Sequence, residues 1–189
     1  DLLDRISEND GRVVVVHQSN SGRSVARNVG IARASGEFVC FLDADDLFHR
    51  KRLDRLVRLA EDHPECPFVV DDQIGFVLTD GAIALRHRYN PRSHVAMGVT
   101  HVVNRRRWFL DQDCAMRPFV RREYLDEIGA SFPDALDAGE DLSFGLQLAF
   151  GTDQPIVRFG EVGYFYREGE SSRAVQESAR EAVIVHAFG

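Results

Sequence analysis

Five consecutive apolar residues, Phe38-Val39-Cys40-Phe41-Leu42, run directly into Asp43-Ala44-Asp45-Asp46. A run without polar alternation reads as a strand buried on both faces, the kind found inside a parallel sheet. Three carboxylates then fall where that strand ends. In open α/β sheets, ligands bind in the crevice beyond the carboxyl ends of the strands. A tight carboxylate cluster there suits a divalent cation, which takes oxygen ligands and keeps positions for substrate phosphates. One acid is expected to cap the following helix. Capping needs a single side-chain oxygen, and like charges packed this closely repel unless a cation or donors offset them. The pattern therefore predicts a metal–phosphate site on an α/β sheet.

The 189 residues suffice for one domain with a real core, and 44% hydrophobic and 28% charged residues are ordinary globular values. The apolar runs are too short to cross a bilayer and no signal peptide opens the chain. Cys40, Cys66 and Cys114 are widely spaced without a CxxC pair, which favours thiols in a reducing, cytoplasmic setting over a disulfide framework or zinc site. A net charge of −7 argues against nucleic acid as the main partner. Two basic clusters, His49 to Arg52 and Arg105-Arg106-Arg107, read first as solvated faces and second as contacts for anionic lipid head groups or a phosphate.

Along the chain, Asp1 to Asn9 reads as the end of a helix and Val13 to Val16 as a buried strand. Asn20-Ser21-Gly22 makes a turn with an N-cap, and Arg23 to Ala34 is an amphipathic helix ended by Gly36 in the left-handed C′ position. With strand 38–42, residues 13–42 form a right-handed βαβ unit. A helix follows over His49 to Glu61, capped by Asp45 or Asp46. Phe68 to Val70 and Ile74 to Leu78 are strands, the second hairpinned to Ala82–Tyr89 through Thr79-Asp80-Gly81. Residues 90–113 are irregular. Phe119 to Ile128 and Leu142 to Phe150 are helical, Pro155 to Phe159 and Val162 to Arg167 are strands, and 174–187 is a terminal amphipathic helix. No repeat or linker divides the chain, so residues 1–189 form a single domain.

Gly139-Glu140-Asp141 precedes an apolar helix. Acidic residues are favoured there by the helix dipole alone, and the same free N–H groups can hold an ionised general base. Arg27, within Ser24-Val25-Ala26-Arg27-Asn28, sits on a helix next to the acidic strand end. It can pair with a diphosphate bidentately or simply face solvent. No GxxxxGK[ST] loop, GxGxxG fingerprint, GxSxG elbow or HExxH pair occurs, and the seven histidines are scattered.

Taken in order, these pieces resemble family 2 glycosyltransferases of the GT-A fold. The motifs are His17-Gln18-Ser19-Asn20-Ser21-Gly22, Ala26-Arg27-Asn28, and Gly36-Glu37 leading into Phe41-Leu42-Asp43-Ala44-Asp45-Asp46. Arg117-Pro118-Phe119-Val120-Arg121-Arg122-Glu123-Tyr124-Leu125 and Gly139-Glu140-Asp141-Leu142 complete them, over roughly residues 13–168. The resemblance implies a mostly parallel Rossmann-like sheet flanked by helices. It implies inverting, metal-dependent transfer of a sugar, of hexosyl or N-acetylhexosaminyl type, from a nucleotide-diphosphate donor. A UDP-sugar is the expected donor, and a glycan or lipid-linked hydroxyl in cell-envelope polysaccharide the expected acceptor.

The resemblance also implies roles. Asp43-Ala44-Asp45 matches the DxD motif, with Asp45 holding Mg²⁺ or Mn²⁺ on the diphosphate and Asp43 facing nucleoside and metal. Asp141 matches the base that takes the acceptor proton, with Glu140 shaping the acceptor site. Arg27 matches a nucleotide-contacting position, and Arg167 or Arg173 falls in a loop near the diphosphate. Trp108, in the irregular 90–113 stretch, is then a candidate platform for an acceptor sugar ring, with a core-filling role equally open. The setting is cytoplasmic, with peripheral contact at the inner membrane face. Family members begin with a strand and helix carrying part of the nucleoside pocket. The sequence starts after that point, lacking roughly 30 residues of a βαβ half, so weak donor binding and little turnover are expected of it. A non-catalytic sugar-nucleotide or glycan-binding module and a sugar nucleotidyltransferase are the alternative readings.

Overall fold

The computed structural model describes residues 2–88, 97–110, 117–136, 139–168 and 183–186. The chain runs α1 (Leu2–Asn9), β1 (Val13–Val16), α2 (Arg23–Arg33), β2 (Phe38–Val39), β3 (Leu47–Phe48) and α3 (Arg52–Asp62). It continues with β4 (Phe68–Thr79), β5 (Ala82–Arg88), β6 (Thr100–Val103), α4 (Arg105–Leu110), β7 (Phe119–Arg121) and α5 (Arg122–Ile128). α6 (Glu140–Phe150), β8 (Ile156–Arg167) and β9 (Val183–His186) complete the described elements.

Two long strands, β4 and β8, pair in parallel and form the spine of a seven-stranded sheet. The free edge of β4 takes β7 along its first half and β5 along its second. The free edge of β8 takes β6 and then β3 in the same way, and β2 extends the sheet beyond β7. The expected α/β architecture with flanking helices is present. The sheet is mixed rather than mostly parallel: among the described residues, β4–β8 is the one parallel pair.

Alternation along the strands divides the core into two layers. Phe68, Val70, Val120 and Ile156 face a cluster with Trp108, Tyr124, Phe144 and Leu148, contributed by α4, α5 and α6. Val69, Phe119 and Val157 face the other side, against Phe38, Leu56, Ala60 and Cys66, with α3 above them. Helices therefore cover both faces, and the buried apolar area, at about 25 cal/mol per Å², supplies the main stabilisation.

Several expectations are corrected. Residues 13–42 do not form a βαβ unit, because β1 pairs antiparallel with β9 and β2 pairs antiparallel with β7. The expected strand 38–42 is confined to Phe38–Val39, and Leu42 is 51% exposed. Of the expected terminal helix 174–187, residues 183–186 form the strand β9 instead, with the β-branched run Val183-Ile184-Val185 in register with Val14 to Val16, and the remainder lies outside the described residues. Gly36 is not left-handed, and α2 ends at Ala34, whose N–H reaches the carbonyls of Gly30 and Ile31. Helix α3 starts at Arg52 with Lys51 at its N-cap, so neither Asp45 nor Asp46 caps it. The helix expected from Phe119 opens as strand β7, and the irregular 90–113 stretch contains β6 and α4.

Asp71-Asp72 looked like a break between two strands, yet β4 runs through it unbroken. Arg52 Nε and Nη2 donate to both Asp71 oxygens at 2.8 Å, and Arg158 Nη2 lies 3.5 Å from Asp72 Oδ1. Each buried acid is thus matched by a buried guanidinium, which lets charged residues occupy the centre of a sheet. The parallel register with β8 shifts at this point, and the two expected late strands merge into the continuous β8.

Candidate active site

The ends of β2, α2, β7 and α6 converge on one cleft. Helix α2 begins at Gly22, whose φ of 84° requires glycine, and Asn20 Oδ1 accepts the Gly22 N–H at 3.2 Å. Along α2, Ala26 turns into the core while Arg27 points to the cleft. Asn28 pins the helix to the segment before α6: its Nδ2 donates to the Phe132 carbonyl and its Oδ1 accepts the Phe132 N–H, both at 2.8 Å. Arg27 then lies over the Phe132 ring at 5.1 Å.

Four side chains close a ring. Arg27 donates from Nη2 to Asp43 Oδ1 and from Nη1 to Asp141 Oδ1, each at 2.8 Å. Arg117 donates from Nη2 to Asp43 Oδ2 and from Nη1 to Asp141 Oδ2, each at 2.7 Å. Both carboxylates are therefore gripped from both sides by charge-assisted bonds. Burial opposes ionisation of Asp43, but Arg117 and Arg27 outweigh it and hold the carboxyl below its usual range. Burial likewise opposes the charge on Arg117, and Asp43 and Asp141 reverse that, keeping it well above the ordinary guanidinium value.

Gly139, with φ 84°, turns the chain into α6, so Glu140 and Asp141 occupy its first turn. Glu140 is buried and accepts from Arg23 Nε at 2.8 Å and from Arg27 Nη1 at 3.3 Å. It holds Arg23 and Arg27 of α2 rather than facing open cleft. Asp46 is buried too. Its Oδ2 accepts the Tyr164 hydroxyl and its Oδ1 the Arg167 N–H at 2.8 Å. Burial nevertheless pushes its carboxyl up to about 6.

The structure thus brings Asp43, Arg27, Glu140 and Asp141 together, with Asp45 at the exposed apex of the adjoining turn. Trp108 is corrected to a core residue, 1% exposed and edge-to-face with Phe68 at 5.8 Å, so its ring offers no platform. Arg173 lies outside the described residues, as does Cys114. Arg167 contributes its backbone N–H to Asp46. The basic clusters are not single patches: Arg52 is buried on Asp71, and Arg105 pairs with Asp153. Arg117, Tyr164 and Arg23 are site residues that the motifs alone did not assign. Arg117 opened a quoted motif, and its position just before β7 was the available signal.

The donor set bears on an ion. Both oxygens of Asp43 are engaged by guanidiniums, and the described residues hold no group of three or more His, Cys, Asp or Glu side chains arranged to bind a metal ion. Asp45 remains as an exposed carboxylate. One carboxylate fits Mg²⁺ or Mn²⁺ that completes its shell with phosphate oxygens and water, and does not fit a closed structural metal site. No helix among the described residues is long and apolar enough to cross a membrane.

Known proteins place this arrangement. Residues 1–129 match the family model described as Glycosyl transferase family 2. The putative glycosyltransferase EpsH of Bacillus subtilis (strain 168) is 30% identical over 97 residues, 50% of this chain and 28% of EpsH. Glycosyltransferase EpsJ of the same organism is 27% identical over 177 residues, 91% of this chain and 49% of EpsJ. The structure of S. aureus TarS 1–349 in complex with UDP-GlcNAc superposes with a TM-score of 0.63 at 18% identity, over 87% of this chain and 43% of that one. The chain spans less than half the length of each of these proteins. That structural likeness shows the fold, which is GT-A. With its family model matched over 1–129, the chain belongs to the family 2 glycosyltransferases.

Proposed function

We propose that the site transfers a sugar, with inversion, from a UDP-sugar to an acceptor hydroxyl of a glycan or lipid-linked glycoconjugate. The observation that carries this reading is the ring joining Asp43 to Asp141 through Arg27 and Arg117. Two carboxylates and two guanidiniums in one set of contacts support a site that combines a donor-side acid, partners for phosphate oxygens and a base. TarS, of the same fold, has been solved with UDP and with UDP-GlcNAc, which supports a nucleotide-sugar donor.

Asp141 takes the proton of the acceptor hydroxyl as its oxygen attacks the anomeric carbon and the bond to the diphosphate breaks. Each Asp141 oxygen accepts one guanidinium, and a carboxylate has about four lone-pair sites, so the hydroxyl has an oxygen to donate to. Arg27 and Arg117 carry the positive charge that meets the diphosphate as it gains negative charge in departure. Asp45 would hold Mg²⁺ or Mn²⁺, whose positive charge would add to that of the arginines towards the leaving diphosphate. Asp43 orients both arginines, and Glu140 fixes Arg27 and Arg23 on the acceptor side.

The test is calorimetric titration of UDP with and without Mn²⁺, beside transfer of radiolabel from UDP-sugars, for the protein and Asp141→Asn. Mn²⁺-dependent UDP binding in both, with transfer lost only in the variant, supports the reading. UDP binding without transfer, in the full-length form as well, makes it a sugar-nucleotide-binding module instead.

A further inference from the structure

One hydroxyl reaches both ends of the turn that presents Asp45. Asp43 to Asp46 is a β-turn closed by the Asp46 N–H on the Asp43 carbonyl at 3.1 Å, with Ala44 and Asp45 at its two central positions. Such a turn on the surface would sample several conformations, because ordering each residue costs about 1–2 kcal/mol. Here Tyr164 reaches both ends of it. Its oxygen accepts the Asp43 N–H at 3.3 Å, and its hydrogen goes to Asp46 Oδ2. The other Asp46 oxygen takes the Arg167 N–H, so the turn is tied to β8 twice.

Tyr164 itself has little freedom. It is 1% exposed, its backbone pairs with Phe48 across β3–β8, and its ring packs against Phe48 at 5.6 Å. The guanidiniums of Arg52 and Arg117 lie 5.3 and 5.7 Å from the ring centroid. One of these, Arg117, belongs to the ring that grips Asp43. The tyrosine therefore touches the turn at its backbone, at its last carboxylate and through Arg117.

We infer that Tyr164 is the positioning residue that fixes the Asp43–Asp46 turn, and with it the Asp45 carboxylate, for a cation-bridged diphosphate. The inference rests on the donor reading proposed above. Its ligand is the nucleoside diphosphate with its divalent cation, and Asp46 serves as the acceptor that orients the hydroxyl. A merely structural tyrosine would affect stability alone, whereas a positioning tyrosine affects the part of nucleotide affinity that depends on the cation.

Tyr164→Phe keeps the ring and both arginine contacts and removes only the hydroxyl. Titrating UDP into the protein and the variant, with Mn²⁺ and with EDTA, separates the two roles. Affinity with Mn²⁺ is expected to fall about tenfold, in keeping with the loss of two hydrogen bonds. Affinity in EDTA should change less than about twofold by the same reasoning, since no contact to the nucleotide itself is removed. Asp46→Asn gives a second measurement should Tyr164→Phe fold poorly. Its amide N–H can face the Tyr164 oxygen, denying the hydroxyl its acceptor, and the same selective loss is expected. Equal losses with and without Mn²⁺, or no loss, overturn the inference and leave the donor reading standing. Failure of the unsubstituted protein to bind UDP under either condition overturns both.

Discussion

Asp43 and Asp141 are bridged twice, by Arg27 on one side and by Arg117 on the other. Neither acid contacts the other, yet each depends on the same two cations. Removing one cation leaves two carboxylates sharing a single guanidinium in a half-buried cleft.

Arg117→Met should therefore destabilise the fold by about 3 kcal/mol, the scale of breaking a largely buried ion pair. Arg117→Lys should recover only a minor part, because an ammonium cannot reach two carboxylates with a planar fork. Acid denaturation adds a sign. Asp43 is held below its ordinary value of 3.8, so its contribution is present above that value and lost as pH falls through the lower folded value. Urea midpoints measured from pH 7 down to pH 2 should show a shallower acid decline in Arg117→Met. A decline as steep as in the unsubstituted protein counts against the ring.

Trp108 supports a prediction of near neutrality. Among the described residues its buried indole Nε1 has no hydrogen-bond partner, a defect worth about 1–3 kcal/mol. Trp108→Phe removes that defect but leaves a void of similar cost. The net change in stability should stay within about 1 kcal/mol, and acceptor KM should not move. A large rise in acceptor KM with stability intact would return Trp108 to the acceptor site.

The acidic motifs were legible because their signal is local: Asp43-Ala44-Asp45 follows an apolar run, and Glu140-Asp141 opens a helix. The resemblance put both in one site, but the guanidinium link between them was not legible, since Arg117 reaches Asp43 and Asp141 only after the sheet has formed. The same limit hid β4. Asp71-Asp72 reads as a break by any local hydrophobic pattern, and only Arg52 and Arg158 from other elements explain its burial. It also reversed the C-terminal reading, where 183–186 has a helix-compatible spacing but meets a free strand edge at β1. Proximity made Asp45 or Asp46 a helix cap, whereas the Asp46 oxygens are taken by Tyr164 and Arg167.

Tyr124 gives an alkaline test. Its hydroxyl donates to the Leu148 carbonyl, joining α5 to α6, and burial pushes its ionisation up to about 12 from 10. The unfolded chain ionises first, so this group's contribution is complete below pH 10 and disappears as pH climbs through 12. Tyr124→Phe should cost about 1 kcal/mol at pH 8 through the lost hydrogen bond. That deficit should shrink and then reverse between pH 10 and 12, followed by urea unfolding of both proteins. Cys66, also pushed up to about 12 by burial, is common to both and cancels in the difference. A deficit constant across this range would mean that Tyr124 ionises equally easily in both states.

Gly163 links the sheet to the site. A Cβ there would collide with Asp71 Oδ2 and stand 2.9 Å from Arg52 Cγ, so even alanine must displace the buried Arg52–Asp71 pair. Arg52 Nη2 also donates to the Arg117 carbonyl at 2.8 Å, just before Arg117 extends towards Asp43 and Asp141. Gly163→Ala should accordingly cost about 3–5 kcal/mol, since it separates two buried charges without removing either. Replacing the pair as well, in Arg52→Met/Asp71→Ala/Gly163→Ala, removes both charges and should restore more than half of that loss. The triple variant still lacks the donor to the Arg117 carbonyl, so its UDP affinity should remain below that of the unsubstituted protein. Urea unfolding and UDP titration on the two variants separate these effects. Recovery of stability without recovery of affinity is the outcome that this geometry requires.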